Sequence, residues 1–321
     1  MLRIGMIGTN FISDWLADAA KEVPDLTLAA VYSRTAESGN AFAARHGIAT
    51  VYTDLEAFLS SDIDAVYIAS PNALHEPQAI LAAQHKKHIL CEKPIASSEA
   101  GLLRMIQVAK ENGVVLLEAM RPAFMEGTWR VKEALREIGT LRSACFRFCQ
   151  YSSRYDRYKN GEILNAFNPT LHNAALLDIG IYPLFFMIAV LGVPNSIQSR
   201  SIILENGFEG RGHILAAYEG MTATVDYSKI DDSCLPSFIT GENGSILIDK
   251  MSMPRRITLS LRGKEPILLY EDSEEKDMKY ELAAFRDMID KKCDAAPYLS
   301  LSRDTLRVAD EVRKQNGIVF T

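Results

Sequence analysis

Two kinds of apolar pattern alternate along the first 118 residues. Segments 2–7, 28–32, 65–69, 88–92 and 114–118 are short, nearly continuous runs rich in Val, Ile and Leu. Such runs suit parallel strands buried on both faces. Between them, segments 12–22, 36–46, 55–60, 75–84 and 99–112 place apolar residues at helical spacing. Pro24, Gly47 and Gly113 follow three of these helices, and a Thr53-x-x-Glu56 capping box precedes another. Strand–helix alternation with short connections predicts an α/β fold, a doubly wound parallel sheet with right-handed crossovers.

The pattern changes beyond residue 120. A helix is predicted over 126–137, stopped by Gly139, then a long alternating strand over 141–151. Segment 152–173 is polar, aromatic and irregular. Helical spacing returns over 176–191 and stops at Gly192 and Pro194. From 196 to 271 most segments read as strands, among them 212–218, 222–228, 235–239, 245–249, 256–261 and 266–270. Glu219-Gly220 and Gly241-Glu242-Asn243-Gly244 punctuate them as hairpin turns. Helices near 278–290 and 302–315 close the chain. This predicts a second, α+β domain with a large open, mostly antiparallel sheet. The expected division is 1–119 and 120–321. An open sheet needs its outer face covered, so a homodimer or homotetramer through this C-terminal sheet is expected.

Composition narrows the class. Of 321 residues, 48% are apolar and 24% charged, a globular profile with material for two cores. The net charge of −6 carries no nucleic-acid footprint, and no apolar run reaches the roughly 18 residues of a membrane span. The five cysteines are odd in number and contain no CxxC pair, which fits a reducing compartment; the cytoplasm is expected. No His/Cys/Asp cluster has metal-ligand spacing, so no metal is expected.

The first strand runs into Gly5-Met6-Ile7-Gly8-Thr9-Asn10-Phe11-Ile12-Ser13. A dinucleotide-binding turn has the form G-x-G-x-x-G at this junction, with the pyrophosphate on the helix N-terminus. Only Gly8 is in place. Asn10 stands at the second position, where its tolerance of positive φ suits it as a substitute, and small Ser13 stands at the third. The second strand ends in Ser33-Arg34-Thr35, without the acid that binds an NAD ribose. A guanidinium there can pair with a 2′-phosphate, so NADP(H) is favoured over NAD(H); the alternative is a surface arginine opening the next helix. Ser70-Pro71-Asn72-Ala73-Leu74-His75 and Glu92-Lys93-Pro94 fall at the carboxyl ends of later strands, where open α/β sheets bind ligands.

These residues resemble the Gfo/Idh/MocA oxidoreductases. Glu92-Lys93-Pro94, Ser70-Pro71-Asn72 with His75, and Glu118-Ala119 look like the family's strand-end motifs. Leu177-Asp178-Ile179-Gly180-Ile181-Tyr182-Pro183 looks like its D-x-G-x-[H/Y] helix. The resemblance runs the length of the chain. It implies an NAD(P)-dependent enzyme that moves a hydride to or from a sugar, polyol or related hydroxy or carbonyl compound. Cofactor contacts would come from Gly8, Thr9, Asn10, Phe11, Ile12, Ser33, Arg34, Thr35, Ser70, Pro71, Asn72, Leu74, His75, Glu92, Lys93 and Arg121. The chain departs from the pattern in Asn10 and Ser13, and in Asn173-Ala174-Ala175 where a glycine cluster is common. Tyr182 stands where many members carry His, resembling the branch of dimeric dihydrodiol dehydrogenase and glucose–fructose oxidoreductase.

Hydride transfer at an oxygen-bearing carbon needs a proton donor or acceptor on that oxygen. Asp178 and Tyr182 are four apart, so a helix presents both on one face. Tyr182 is read as acid/base, with the Lys93 ammonium lowering its pKa and polarising the oxygen. The lysine itself as proton donor is the open alternative. Asp178 would orient substrate hydroxyls or Lys93. Substrate contacts are expected from Tyr151, Arg154, Tyr158, Asn165 and His172, although 152–173 also reads as a solvated crossover loop. A non-catalytic, dinucleotide-binding regulator of the same fold is the competing function; the set Lys93, Asp178 and Tyr182 argues against it.

Overall fold

Leu2–Ile7 (β1) opens the chain. Phe11–Ala20 (α1), Leu26–Tyr32 (β2), Ala36–His46 (α2), Thr50–Tyr52 (β3), Leu55–Leu59 (α3), Ala65–Ile68 (β4), His75–Gln84 (α4), His88–Glu92 (β5), Glu99–Asn112 (α5) and Leu116–Ala119 (β6) follow. The computed structural model describes residues 1–320. All six strands pair in parallel, in the order β3-β2-β1-β4-β5-β6. The order reverses between β1 and β4, the switch point at which such sheets bind ligands. The wound parallel sheet is the one expected. Every residue of β4 and β6 is buried, as continuous apolar runs require.

Two local expectations fail. β3 is a three-residue edge strand, too short to show any periodicity, and it went unpredicted. The cap of α3 is Asp54 rather than Thr53, its carboxylate accepting from the Ala57 amide at 2.7 Å. A charged acceptor at a helix N-terminus gains from the dipole as well as the hydrogen bond.

Glu126–Ala134 (α6), Leu141–Cys149 (β7), Tyr155–Lys159 (α7), Ile181–Leu191 (α8), Ser196–Ile203 (β8), Glu209–Tyr218 (β9), Met221–Ser228 (β10), Ser237–Gly241 (β11), Gly244–Ile248 (β12), Arg256–Leu261 (β13) and Ile267–Glu271 (β14) come next, then Met278–Ile289 (α9) and Ala296–Asn316 (α10). The eight-stranded sheet runs β14-β13-β12-β11-β7-β10-β9-β8. Its β7–β10 pair is parallel and the rest antiparallel, matching the expected open sheet. Ala144, Phe146, Ile214, Val225, Ile239 and Ile246 bury one face, with Phe146 against Phe186 of α8 at 5.8 Å. α8 is apolar all round and all its residues from Ile181 to Val190 are buried. The helical stretch Pro169–Leu191 is long and apolar enough to cross a membrane, but 83% of its most apolar window lies inside the fold, as in a core helix.

The chain packs as two compact units, Met1–Arg121 with Glu274–Ser300, and Pro122–Ser273 with the residues from Leu301 on. The contiguous division at 119/120 omits this return of the chain. Met278, Leu282, Phe285 and Met288 form the buried stripe of α9, and α9 packs on α1 of the first unit. An amphipathic stripe says that a helix packs, not on what.

Candidate active site

In the first unit the strand-end turns carry the chemistry. Gly8 has φ +108°, and a Cβ there would lie 2.6 Å from the Ala69 carbonyl oxygen, so only glycine fits. Asn10 does not replace a glycine at positive φ, as the sequence suggested: its φ is −86°. It is the cap of α1. Its Oδ1 accepts from the amides of Ile12 at 3.0 Å and Ser13 at 3.2 Å, and its Nδ2 donates to Ala69 O at 2.8 Å. One side chain thus closes the helix and ties β1's exit to the end of β4. Ser13 is fully buried; Phe11 and Trp15 are exposed and meet edge-on at 5.4 Å. After β2, the hydroxyls of Ser33 and Thr35 each lie 2.7 Å from Ser38 Oγ, and Thr35 caps α2. Arg34 between them is exposed and makes no ion pair or hydrogen bond among the described residues.

His75 clamps two of these turns. It is 1% exposed, with Nε2 at 2.9 Å from Ser70 O and Nδ1 at 2.8 Å from Pro94 O. Burial pulls its pKa down and the two carbonyls offset this only partly. Its ring is therefore spent on the backbone, holding the Ser70 turn to the loop after Lys93. Ser70 Oγ donates to Gln78 at 2.7 Å, Asn72–Leu74 forms a short 3-10 turn, and Leu74 is exposed. Glu118 of β6 accepts from the Ile95 amide at 2.9 Å, which fixes the other end of the Lys93 loop.

Beneath Lys93 lies a set of buried charges. Tyr67 donates to Glu92 Oε1 at 2.5 Å, and the Lys93 amide donates to Glu92 Oε2 at 3.2 Å. Burial raises the Glu92 pKa against these contacts and pushes the Tyr67 hydroxyl well above its usual range. Arg121 is buried in an ion pair with Asp277, its Nε 3.0 Å from Oδ1, and its guanidinium lies 5.9 Å from the Trp15 ring. That ties the Arg121 guanidinium to one of the fold's own carboxylates. Glu281 of α9 is 1% exposed with neither carboxyl oxygen hydrogen-bonded.

In the second unit the D-x-G-x-Y segment begins as a π turn, Leu176–Gly180, where plain α-helix was expected. The sheet restrains this wide turn at both ends. Buried Glu209 accepts from the Leu176 amide at 2.8 Å, from Ser201 Oγ at 2.6 Å and from Tyr227 OH at 2.8 Å. The Tyr227 ring lies flat against Gly180, where a Cβ would come within 2.7 Å of it. Asp178, midway along the turn, meets Lys229 at 2.5 Å. Tyr182 opens α8, is 8% exposed, and packs 6.0 Å from the Phe148 ring.

Comparison with known proteins agrees with these motifs. Residues 2–120 match the Gfo/Idh/MocA family, an oxidoreductase family with an NAD-binding Rossmann fold. Over its full length the chain is 40% identical to scyllo-inositol 2-dehydrogenase (NADP(+)) of Bacillus subtilis, covering 98% of that protein. The chain belongs to the Gfo/Idh/MocA oxidoreductases. It is also 26% identical to trans-1,2-dihydrobenzene-1,2-diol dehydrogenase of Mus musculus, over 99% of this chain and 98% of the relative. A 3-ketoreductase from Actinomadura kijaniata, solved with NADP and TDP-benzene, shares the fold with TM-score 0.85 at 23% identity over 98% of both chains. Family membership makes this protein an NAD(P)-dependent oxidoreductase.

The irregular segment of this oxidoreductase is more ordered than its sequence suggests. Tyr155 and Tyr158 stack on each other and on Phe167, which lies 4.7 Å from Phe208. Tyr151 donates to Asp156 at 2.7 Å and Lys159 donates to Tyr151 at 2.7 Å. His172 stacks on Phe320 at 5.1 Å, while Arg154 and Asn165 are exposed. The structure thus brings Tyr158 into an aromatic wall beside Lys229, which Tyr151 extends by meeting Tyr155 edge-on at 5.5 Å, while His172 packs on Phe320. Sequence reasoning missed Lys229, Glu209, Tyr227 and Glu281. One signal was available for Lys229: two residues past Tyr227, it continues the inward-facing alternation of β10, an odd place for an ammonium. Among the described residues no group of three or more His, Cys, Asp or Glu is placed to hold a metal.

Proposed function

We propose that this oxidoreductase is an NADP(H)-preferring dehydrogenase of polyols and sugars or of related hydroxy and carbonyl compounds. The observation that carries the cofactor preference is Arg34. Its guanidinium is exposed and, among the described residues, unpaired at the end of β2, flanked by the hydroxyls of Ser33 and Thr35 instead of a carboxylate. A planar fork of donors suits a 2′-phosphate, while an acid at that place suits an unmodified ribose. The turn also fits a dinucleotide, since Gly8 presents bare backbone where a Cβ would collide. The polyol half is supported by the 40% identical relative, named for scyllo-inositol and NADP(+).

Bound nicotinamide would supply or accept the hydride at its C4. We assign Tyr182 as the acid/base at the substrate oxygen and Lys93 as the positive charge that polarises that oxygen. Such a charge also favours a phenolate over the ordinary phenol, whose pKa is about 10. Asp178 accepts a neighbouring substrate hydroxyl. A panel of polyols, aldoses and dicarbonyls, followed by nicotinamide absorbance with both cofactors, tests this. Lys93→Ala and Tyr182→Phe are each expected to lose roughly 100-fold or more in kcat. Arg34→Asp is expected to turn the NADP(H) preference toward NAD(H). A wild type that prefers NADH sinks the Arg34 assignment, and full activity in both Lys93→Ala and Tyr182→Phe sinks the mechanism.

We further propose a homodimer or homotetramer through the uncovered face of the eight-stranded sheet, and a cytoplasmic location. Cross-strand register supports the first, by aligning Leu215, Thr224, Cys145, Phe238 and Leu247 in one row on that face. Five free thiols support the second, which cell fractionation checks.

A further inference from the structure

We propose that Lys229 is a positioning residue for the reaction, holding the Asp178 carboxyl group aimed as the acceptor for a substrate hydroxyl. This rests on the role given to Asp178 above. Lys229 is 4% exposed, a rare state for an ammonium unless its charge is met. Its backbone is fixed from both sides. Its amide donates to Gly210 O at 2.9 Å, and its carbonyl accepts from Ser152 N at 2.9 Å. The side chain then runs through an aromatic sleeve, with Nζ 4.9 Å from the Phe167 ring centre and 5.4 Å from that of Phe208. It ends on two oxygens, Ala166 O at 3.0 Å and Asp178 Oδ2 at 2.5 Å.

The asymmetry of the pair defines its use. The Lys229 side chain is 5% exposed and the Asp178 side chain 36%. Here the cation is hidden and the carboxylate is presented. Asp178 sits on a π turn whose backbone is restrained at Leu176 and Gly180, and Lys229 holds its side chain from the buried side. Among the described residues, Lys229 Nζ meets the Asp178 carboxylate, one backbone carbonyl and two aromatic rings. An ionised, oriented carboxylate accepts a hydrogen bond strongly, and holding it in place beforehand lowers the cost of binding a polyhydroxyl substrate.

The test uses the full-length enzyme with scyllo-inositol and NADP+, or the best polyol of the panel. Lys229→Met is expected to raise KM by about 10- to 100-fold with a smaller loss in kcat. NADPH affinity should be unchanged. Lys229→Gln replaces the Met variant if that fails to fold. Lys229→Arg keeps the charge in a different shape and should still raise KM, by less than the neutral variants. Wild-type KM in a folded neutral variant, or wild-type KM in Lys229→Arg where no neutral variant folds, overturns the inference. Asp178→Asn separates the two ideas. If it impairs the enzyme and the Lys229 variants do not, Lys229 is structural and the role of Asp178 stands. If Asp178→Asn is itself fully active, or wild type turns over no compound in the panel, the underlying role fails and the inference with it.

Discussion

Glu281 shows what a single buried carboxyl does to stability. Neither oxygen is hydrogen-bonded, and burial, then the charge of Glu92, push its pKa well above the ordinary 4.5; Arg121 pulls the other way and Asp277 adds to the rise. The unfolded chain releases this proton near its ordinary pKa, while the folded chain keeps it to higher pH. In that window the folded state holds more protons, so stability falls as pH rises. Glu281→Gln removes the titration and keeps the shape. The melting temperature of the variant minus that of wild type is expected to grow between about pH 5 and about pH 8. A difference that stays flat across that range contradicts the assignment. Lys93, Asp178 and Tyr182 were legible because their neighbours form motifs. Glu281 was not, because in sequence it is one acid on an amphipathic helix. Asn10 was found, but for the wrong reason: its identity suggested a backbone conformation, while its side chain serves as a cap.

At the level of elements, the link between β10 and the Asp178 turn is the most exacting contact. Tyr227 lies against Gly180 and bonds Glu209, which in turn caps Leu176. Gly180 has ordinary helical torsions, so Gly180→Ala tests packing alone. The added methyl meets the ring, and overpacking of this kind costs about 1–3 kcal/mol. A lower melting temperature is expected, with a disproportionate loss of kcat/KM because Asp178 and Tyr182 flank the strained point. An Ala variant with unchanged melting and kinetics refutes the argument. The helices and most strands could be read from periodicity, since burial on one or both faces leaves a repeating signature. β3 and the π turn left none. One is too short to repeat, and the other is set by a side chain some 50 residues away in the chain, which no local window contains.

For the whole molecule, the eight-stranded sheet sets the assembly question. Its uncovered face carries Leu215 at 40% and Leu247 at 38% exposure in the same cross-strand row. Light scattering on the purified protein is expected to give a dimer or tetramer mass, and Leu215→Glu with Leu247→Glu to shift it toward monomer. A monomeric wild type ends that proposal. The overall architecture was readable because each unit obeys one pattern for most of its length. The division was not, because residues 274–300 return to the first unit. That return constrains modular exchange. A chimera grafting a different nucleotide-binding module onto this sheet cannot be a single cut-and-paste near residue 121. It has to carry α9 as a second insert, or leave the apolar stripe of Met278, Leu282, Phe285 and Met288 facing a surface built for another protein.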